Sequence, residues 1–391
     1  MPHRGKMQWV KRAGAGLLWL VILLCLAIAI IPEFLDARYY RGPVSDHFDG
    51  EHFFNPDGAD DALSPPGGTG TLLRYVTARD NRPLWPDRVA VTPTKPSARV
   101  DGERMLATWV GHATVLVQTN GLNILTDPVW SKSAGPFGIG PTRVAEPGIR
   151  FADLPKIDLV LVSHDHYDHM DLATLRKLWD RDHPLIVTSL GNDSVIGQAG
   201  VPARALDWGG EVAVRPGVSV VVNRSHHWDS RWFADRNRAL WSGFVVRLPG
   251  GNLFFAGDTG AGDFKWADRA ASYGPIRLAL IPIGAFRFAA GQMAAGSHVG
   301  PVDAVEMYRR LGAAHAIAIH WGTFRLSYEG WDTPPRLLAA AEACTGQRGF
   351  AAVRIGRTME IPAFAPQPSR PAMARSDLLR CLDTPAMSAL R

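Results

Sequence analysis

The sequence predicts a layered α/β body carried behind one N-terminal transmembrane helix. Three observations lead there. From residue 105 onward, apolar stretches of strand length alternate with segments that read as helices. Several of those strands end in histidine or aspartate, and the first 32 residues hold a charge-free run of membrane-spanning length behind basic residues. At 391 residues, 46% hydrophobic and 20% charged, the chain suits one large globular domain with a small appendage.

Residues 1–32 form the basic flank and anchor. Arg4, Lys6, Lys11 and Arg12 precede AGLLWLVILLCLAIAII, Ala15 to Ile31. Crossing the hydrocarbon core takes ~20 apolar residues, range ~17 to 25, so the run is short but adequate. Pro32 and Glu33 are expected to end it. The positive-inside rule places the flank in the cytoplasm and the rest of a single-pass membrane protein on the outer, periplasmic or extracellular, side. A cleaved signal peptide is the competing reading, because Ala27-Ile28-Ala29 resembles a cleavage site. The apolar run continues through Ile30 and Ile31, which favours the uncleaved anchor.

Residues 33–100, with RYYRGPVSDHFDGEHFFNPDG and SPPGGTGT, read as an extended linker wrapping the body. His47 and His52, beside phenylalanines, read as packing or surface residues. The main body is expected over 101–364. MLATWV and ATVLVQT are strands, Asn120-Gly121 is a hairpin turn, and LNILTDPV returns. IDLVLVS is apolar throughout, as a strand buried on both faces would be, and Asp171 is placed to cap the helix DLATLRKLWD. Further on, VSVVVN, SGFVVRLP, NLFFAGD, IRLALIPI and HAIAIHW read as strands, ADRAASY and PVDAVEMYRRL as helices. Residues 365–391, with PQPSRP, read as a loose C-terminal tail. Of the three cysteines, Cys25 lies in the apolar run; Cys344 and Cys381 either pair in an oxidising compartment or all three stay thiols.

A net charge of +5 and a pI near 9.2 suit anionic substrates or lipid surfaces. No Lys/Arg block is long enough for a nucleic-acid arm. No C-x-x-C spacing offers a thiolate metal site, so histidine and aspartate must bind any metal. Four strand ends supply them: SHDHYDH follows IDLVLVS, His226-His227 follow VSVVVN, Asp258 follows NLFFAG, and His320 follows AIAI. Singly each has a bland reading as turn former, surface pair or core histidine. Together they converge, because a sheet gathers its strand ends along one edge, and imidazole and carboxylate are ligands that zinc accepts.

His164, His166, Asp168 and His169 match H-x-H-x-D-H, and the chain here resembles the metallo-β-lactamase superfamily. GHATVLVQTNGLNILTDPVWS, GIGPTRV, HHWDSR, FAGDTG, SHVGPVDA and IHWGTF extend the likeness over roughly residues 75 to 345, toward the subgroup of N-acyl phosphatidylethanolamine-hydrolysing phospholipase D and lactonase-like relatives. The resemblance implies a four-layer αββα fold and two Zn²⁺ ions. His164, His166 and His227 would hold one ion, Asp168, His169 and His320 the other, and Asp258 would bridge them; His227 is chosen over His226 because it directly precedes Trp228. Such a pair can share a hydroxide, with its pKa lowered to near ~7. His298 is a candidate catalytic residue beside Asp258, as donor to a phosphoryl oxygen or general acid. Tyr167 is expected to pack under the metal loop, and Arg143 is a candidate contact for an anionic group. The implied activity is zinc-dependent hydrolysis of phosphodiesters in membrane phospholipids or another small anionic substrate, with attack on a lactone, amide or lactam carbonyl as the alternative. No G-x-S-x-G or P-loop competes for the chemistry.

Overall fold

The computed structural model describes residues 3–35, 38–58, 83–232, 234–288, 292–368, 371–388 and 390. The SPPGGTGT part of the linker lies outside them. Helix α1 (His3–Leu35) contains Lys11–Ile28, a window long and apolar enough to cross a bilayer, none of it buried. It runs past Pro32 to Leu35 rather than stopping there, despite the lost backbone donor and ring clash that proline brings to a helix interior.

Strands β1 (Met105–Gly111), β2 (Thr114–Thr119) and β3 (Leu122–Thr126) form a meander. Its second turn uses Asn120 at φ 51° and Gly121 at φ 64°, the left-handed pair that suits the twist of a two-residue hairpin. Three parallel strands follow, β4 (Leu159–Val162), β5 (Leu185–Ser189) and β6 (Arg204–Leu206), with α2 (Leu172–Asp182) and α3 (Asn192–Gly197) between them. The Asp171 carboxylate caps α2 by accepting from the Thr174 N–H.

Strands β7 (Glu211–Arg215), β8 (Val218–Asn223), β9 (Gly243–Arg247) and β10 (Asn252–Phe255) are antiparallel neighbours. Next come α4 (Lys265–Ser272), β11 (Ile276–Pro282), α5 (Pro301–Leu311), β12 (His315–Ile319), α6 (Thr333–Thr345), β13 (Phe350–Ala351), β14 (Thr358–Ile361), α7 (Arg375–Cys381) and α8 (Pro385–Ser388). Among the described residues these make two seven-stranded sheets, ordered β14-β1-β2-β3-β4-β5-β6 and β13-β12-β11-β10-β9-β8-β7.

The alternation of side chains fixes the layers. Leu159 and Leu161 of β4 face inward, meeting Val220, Phe255 and Leu280 of the other sheet, while Val160 and Val162 face outward onto Leu175 and Leu178 of α2. On the far side, Phe254, Ala279 and Ala316 pack beneath α4, α5 and α6. The order is helix, sheet, sheet, helix. Within the first sheet β1, β3 and β4 run the same way, because β2 is antiparallel to both β1 and β3 and β4 is parallel to β3. Strands β8, β10 and β12 likewise share a direction. All six therefore deliver their last residues to the same edge.

The C-terminal segment departs from the expected loose tail. Gln367 Nε2 donates to the Ala314 carbonyl at 2.7 Å, and further on Leu378 and Leu382 of the LLRCL stretch enter the core beside α5 and α6. Cys344 and Cys381 form a disulfide, and Arg375 Nε meets Asp303 Oδ1 at 2.9 Å. Closing a loop over a separation of 37 residues restricts the unfolded chain by about 4 kcal/mol at most in the chain-entropy description. Cys381→Ser should accordingly unfold several degrees below the parent in thermal melts, and reductant should lower the parent's Tm to match. Equal melting temperatures with and without the bond would contradict this docking role.

Candidate metal centre

Each strand of the shared edge contributes one element. The loop after β4 carries His164, His166, Asp168 and His169; β8 leads to His227, β10 to Asp258 and β12 to His320. The ligand-type atoms of His164, His166 and His227 lie within 4.8 Å of one another, as do those of His112, Asp168, His169 and His320. Asp258 stands between the two groups. Its Oδ2 is 2.9 Å from His320 Nε2, 3.1 Å from His169 Nε2, 3.7 Å from His298 Nδ1 and 4.0 Å from His227 Nε2.

His164, His169, His227, Asp258 and His320 are almost wholly buried and His166, Asp168 and His298 partly so, yet His166 Nε2, His169 Nε2, His227 Nε2, His320 Nε2 and Asp258 Oδ1 find no hydrogen-bond partner among the described residues. Their approaches to carboxylates are close but off the line a hydrogen bond needs. Leaving a buried polar atom unpaired costs about 1–3 kcal/mol, so five in one place are a liability for the protein alone. They fit a site built for divalent cations, whose coordination would satisfy all five.

Protonation supports the same use. Burial pushes His166 down to about 3, and burial with neighbouring imidazoles pushes His164 and His227 well below the usual histidine value. These three are neutral, as ligands must be. Burial alone would raise Asp168 and Asp258, but His169 and the other facing imidazoles hold both carboxyls well below the usual range. The same attraction acts in reverse on the partners. Burial opposes the charged form of His320, yet Asp258 and Asp168 raise it to about 9, and His169 is raised well above its ordinary value.

Outer partners fix the ring orientations. His227 Nδ1 donates to the Ser297 carbonyl at 2.8 Å, turning Nε2 inward. His169 Nδ1 donates to Asp127 Oδ2 at 2.6 Å, and Asp127 also accepts from the Ser163 hydroxyl and N–H. His112 Nε2 holds Asp168 Oδ2 at 2.8 Å. Three of these residues sit in left-handed backbone, His112 at φ 53°, Asp127 at φ 28° and His320 at φ 62°. Side chains other than glycine adopt that region at a cost and do so preferentially at functional sites.

A domain-family profile described as beta-lactamase superfamily domain matches residues 122–321. The chain belongs to the beta-lactamase superfamily. An uncharacterized protein of Mycobacterium tuberculosis is 36% identical over 252 residues, 62% of this chain and 66% of that protein. The matched stretch thus spans just under two thirds of that mycobacterial relative. N-acyl-phosphatidylethanolamine-hydrolyzing phospholipase D 1 of Caenorhabditis elegans is 31% identical over 304 residues, 73% of this chain and 85% of the nematode protein. Igni18, a metallo hydrolase of the archaeon Ignicoccus hospitalis, shares the superfamily fold with a TM-score of 0.51 at 19% identity, over 66% of this chain and 99% of the other.

The superfamily motif residues named from the sequence all reach the centre, and so does His298, whose Nδ1 groups with the ligand-type atoms of His227 and Asp258. His226 does not reach it: its Nδ1 turns to Asp57 Oδ1 at 2.9 Å. Arg143 is no contact for an anion, since its guanidinium is spent on the carbonyls of Ser131, Val129 and Ala145 over the Phe324 ring. Tyr167 lies under Arg231, whose guanidinium stands 4.1 Å from its ring centre. Sequence reasoning missed His112 and Asp127, although each follows a strand as the chosen residues do. It also missed Asn55, whose amide donates to the His227 carbonyl at 2.8 Å and accepts from the His227 N–H at 3.3 Å and from Trp241 Nε1 at 3.0 Å.

Two outcomes follow for metal uptake. His169 and His320 carry protons in the free site, and a cation needs them neutral. Metal affinity should therefore fall as pH drops below about 9, by up to about tenfold per unit for each proton displaced, and chelator competition at several pH values will read this. Affinity that does not vary with pH would contradict the pairing. Asp127→Asn should bind metal ~10- to 100-fold more weakly, the usual loss on removing an outer partner of a ligand, whereas Asp258→Asn should lose metal outright and turnover with it. Elemental analysis distinguishes them; full occupancy in Asp258→Asn would remove that residue from the centre.

Proposed function

We propose that the chain is a dinuclear metal-dependent hydrolase, zinc being the resident metal, that cleaves the headgroup phosphodiester of membrane phospholipids of the N-acyl phosphatidylethanolamine kind. The observation that carries this reading is Asp258, whose Oδ2 lies within 4.0 Å of both histidine groups. One carboxylate between two ligand sets is the arrangement that suits two ions. The similarity to the nematode phospholipase over most of its length supports the substrate class.

His164, His166 and His227 would hold one ion and Asp168, His169 and His320 the other, with Asp258 shared. The ions would supply an activated water near neutral pH and neutralise charge on the phosphoryl oxygens. Asp258 and Asp168, both ionised, bring negative charge that offsets the cations. Burial holds His298 down to about 4, so it is neutral at pH 7, and its N–H serves as a hydrogen-bond donor to a phosphoryl oxygen rather than as a charged acid. Water adds to phosphorus, the bond to the headgroup oxygen breaks, the leaving alcohol takes up a proton, and phosphatidic acid remains.

Helix α1 acts as an anchor in this reading, with the basic flank in the cytoplasm and the body outside. The Cys344–Cys381 disulfide suits an oxidising compartment. The test is hydrolysis of a panel of phosphodiesters, lactones, amides and β-lactams by the metal-loaded full chain. Turnover of N-acyl phosphatidylethanolamine is expected, and activity confined to carbonyl substrates would overturn the assignment. On the best phosphodiester, His298→Ala should keep both ions and lose about 10²- to 10³-fold in kcat, the scale of one transition-state donor. Full activity in that variant would make His298 a structural residue at the start of α5.

A further inference from the structure

One loop beside the centre is rooted in the core but carries its tip clear of it. Residues 133–142 form a closed loop beyond β3, with a bridge between Ser133 and Thr142. The Ala134 N–H donates to the Pro141 carbonyl at 2.9 Å and the Ile139 N–H to the Pro136 carbonyl at 2.9 Å. Its two limbs touch backbone to backbone. A Cβ on Gly135 would lie 1.8 Å from the Ile139 oxygen, and one on Gly140 2.3 Å from the Ala134 oxygen. The loop is a preformed tip rather than slack chain. At that tip Phe137, in left-handed backbone at φ 54°, is 90% exposed and Ile139 is 75% exposed. Single exposed apolar residues are ordinary; two held outward on a rigid turn call for an occupant.

The neighbours say which. The root of the loop, Ala134, packs with Val129, Phe324, Tyr167 and Leu326, and Phe324 meets the His112 ring edge-on at 5.2 Å, so the loop is rooted one side chain away from His112 of the metal centre. The Phe137 ring stands 6.3 Å from that of Trp232. Trp232 belongs to the loop whose Asp235 accepts from the Tyr39 hydroxyl at 2.8 Å. Tyr39 is four residues after Leu35, where α1 ends, a reach of at most about 14 Å. The exit of the apolar helix, the Asp235 loop and the apolar tip are thus consecutive neighbours on one rim.

We propose that Phe137 and Ile139 form a wedge that enters the interfacial layer of the bilayer holding α1, seating the mouth of the metal centre against the lipid surface. An aromatic and an aliphatic side chain on a turn are suited to that layer, where apolar area leaves water while the backbone stays hydrated. The wedge rests on the reading of α1 as an anchor and is independent of phosphodiester chemistry, so the two can fail separately.

The experiment uses the full chain with Cys25→Ser, reconstituted into phosphatidylcholine vesicles containing brominated lipid. Single cysteines replace Phe137, Ile139 or, as a control at the opposite end of the sheets, Pro216 in the β7–β8 turn, and each carries an environment-sensitive fluorophore. Position 137, 139 and 216 variants should all retain the parent's metal content, since none of these side chains reaches the centre. Bromolipid should quench the labels at 137 and 139 several-fold more strongly than the label at 216. The proposal is overturned by labels at 137 and 139 quenched no more than at 216, by a chain that does not float with the vesicles, or by a label that leaves water only when a small soluble substrate is added, which would make the loop a lid.

Discussion

Negative charge taken largely out of water is the constraint to which this molecule answers. Asp168 and Asp258 are ionised inside the protein, and taking such a group out of water costs several kcal/mol unless positive charge meets it. The surrounding imidazoles supply part of that charge by taking up protons. Everything that shapes the edge serves their placement: the shared direction of six strands, the left-handed backbone at His112, Asp127 and His320, and backbone bonds that cross from one sheet to the other. The His320 N–H donates to the His112 carbonyl at 3.0 Å and the Ser242 N–H to the Ser163 carbonyl at 3.0 Å. The sheets are thus sutured at the place where their charges meet.

Much of this was legible in the chain. Inward-facing strands such as IDLVLVS have a hydrophobic pattern that only burial on both faces explains, and the Asn120-Gly121 turn carries its own backbone preference. The centre was legible because its residues follow strands, a rule that applied evenly would also have exposed His112 and Asp127. What escaped were features that depend on distant partners. PQPSRP reads as slack, and nothing local shows that Leu378 and Leu382 beyond it find a core against α5 and α6. Arg143 is a nearer case: it had the charge for an anion, but its guanidinium goes to carbonyls 2 to 14 residues away, in loops whose path no local pattern specifies. Asn55 carries no periodic signal; its importance comes from a segment roughly 170 residues away in sequence.

That segment, residues 38–58, ties the start of the body to its interior. Phe48 and Phe53 are buried with Leu240 and Trp241, His47 bridges Asp46 and Asp207 at 2.7 and 2.8 Å, and Asp57 binds both His226 and Arg224. A histidine pair that looks redundant in the sequence is thereby divided: His226 is held by this strap and His227 by the centre. Movement of the strap would reach His227 through its own backbone, by way of Asn55.

The pairing of β14 with β1 has a consequence for the birth of the protein. Met105 sits opposite Ile361, 256 positions later by subtraction. At translation rates of about 5–20 residues per second, that partner is made roughly 10 to 50 s after β1. Throughout that interval β1 offers an unpaired edge, the kind that recruits other chains. Among the described residues the last strand is the one that seals the first, so the β1 edge is the one this topology leaves open longest.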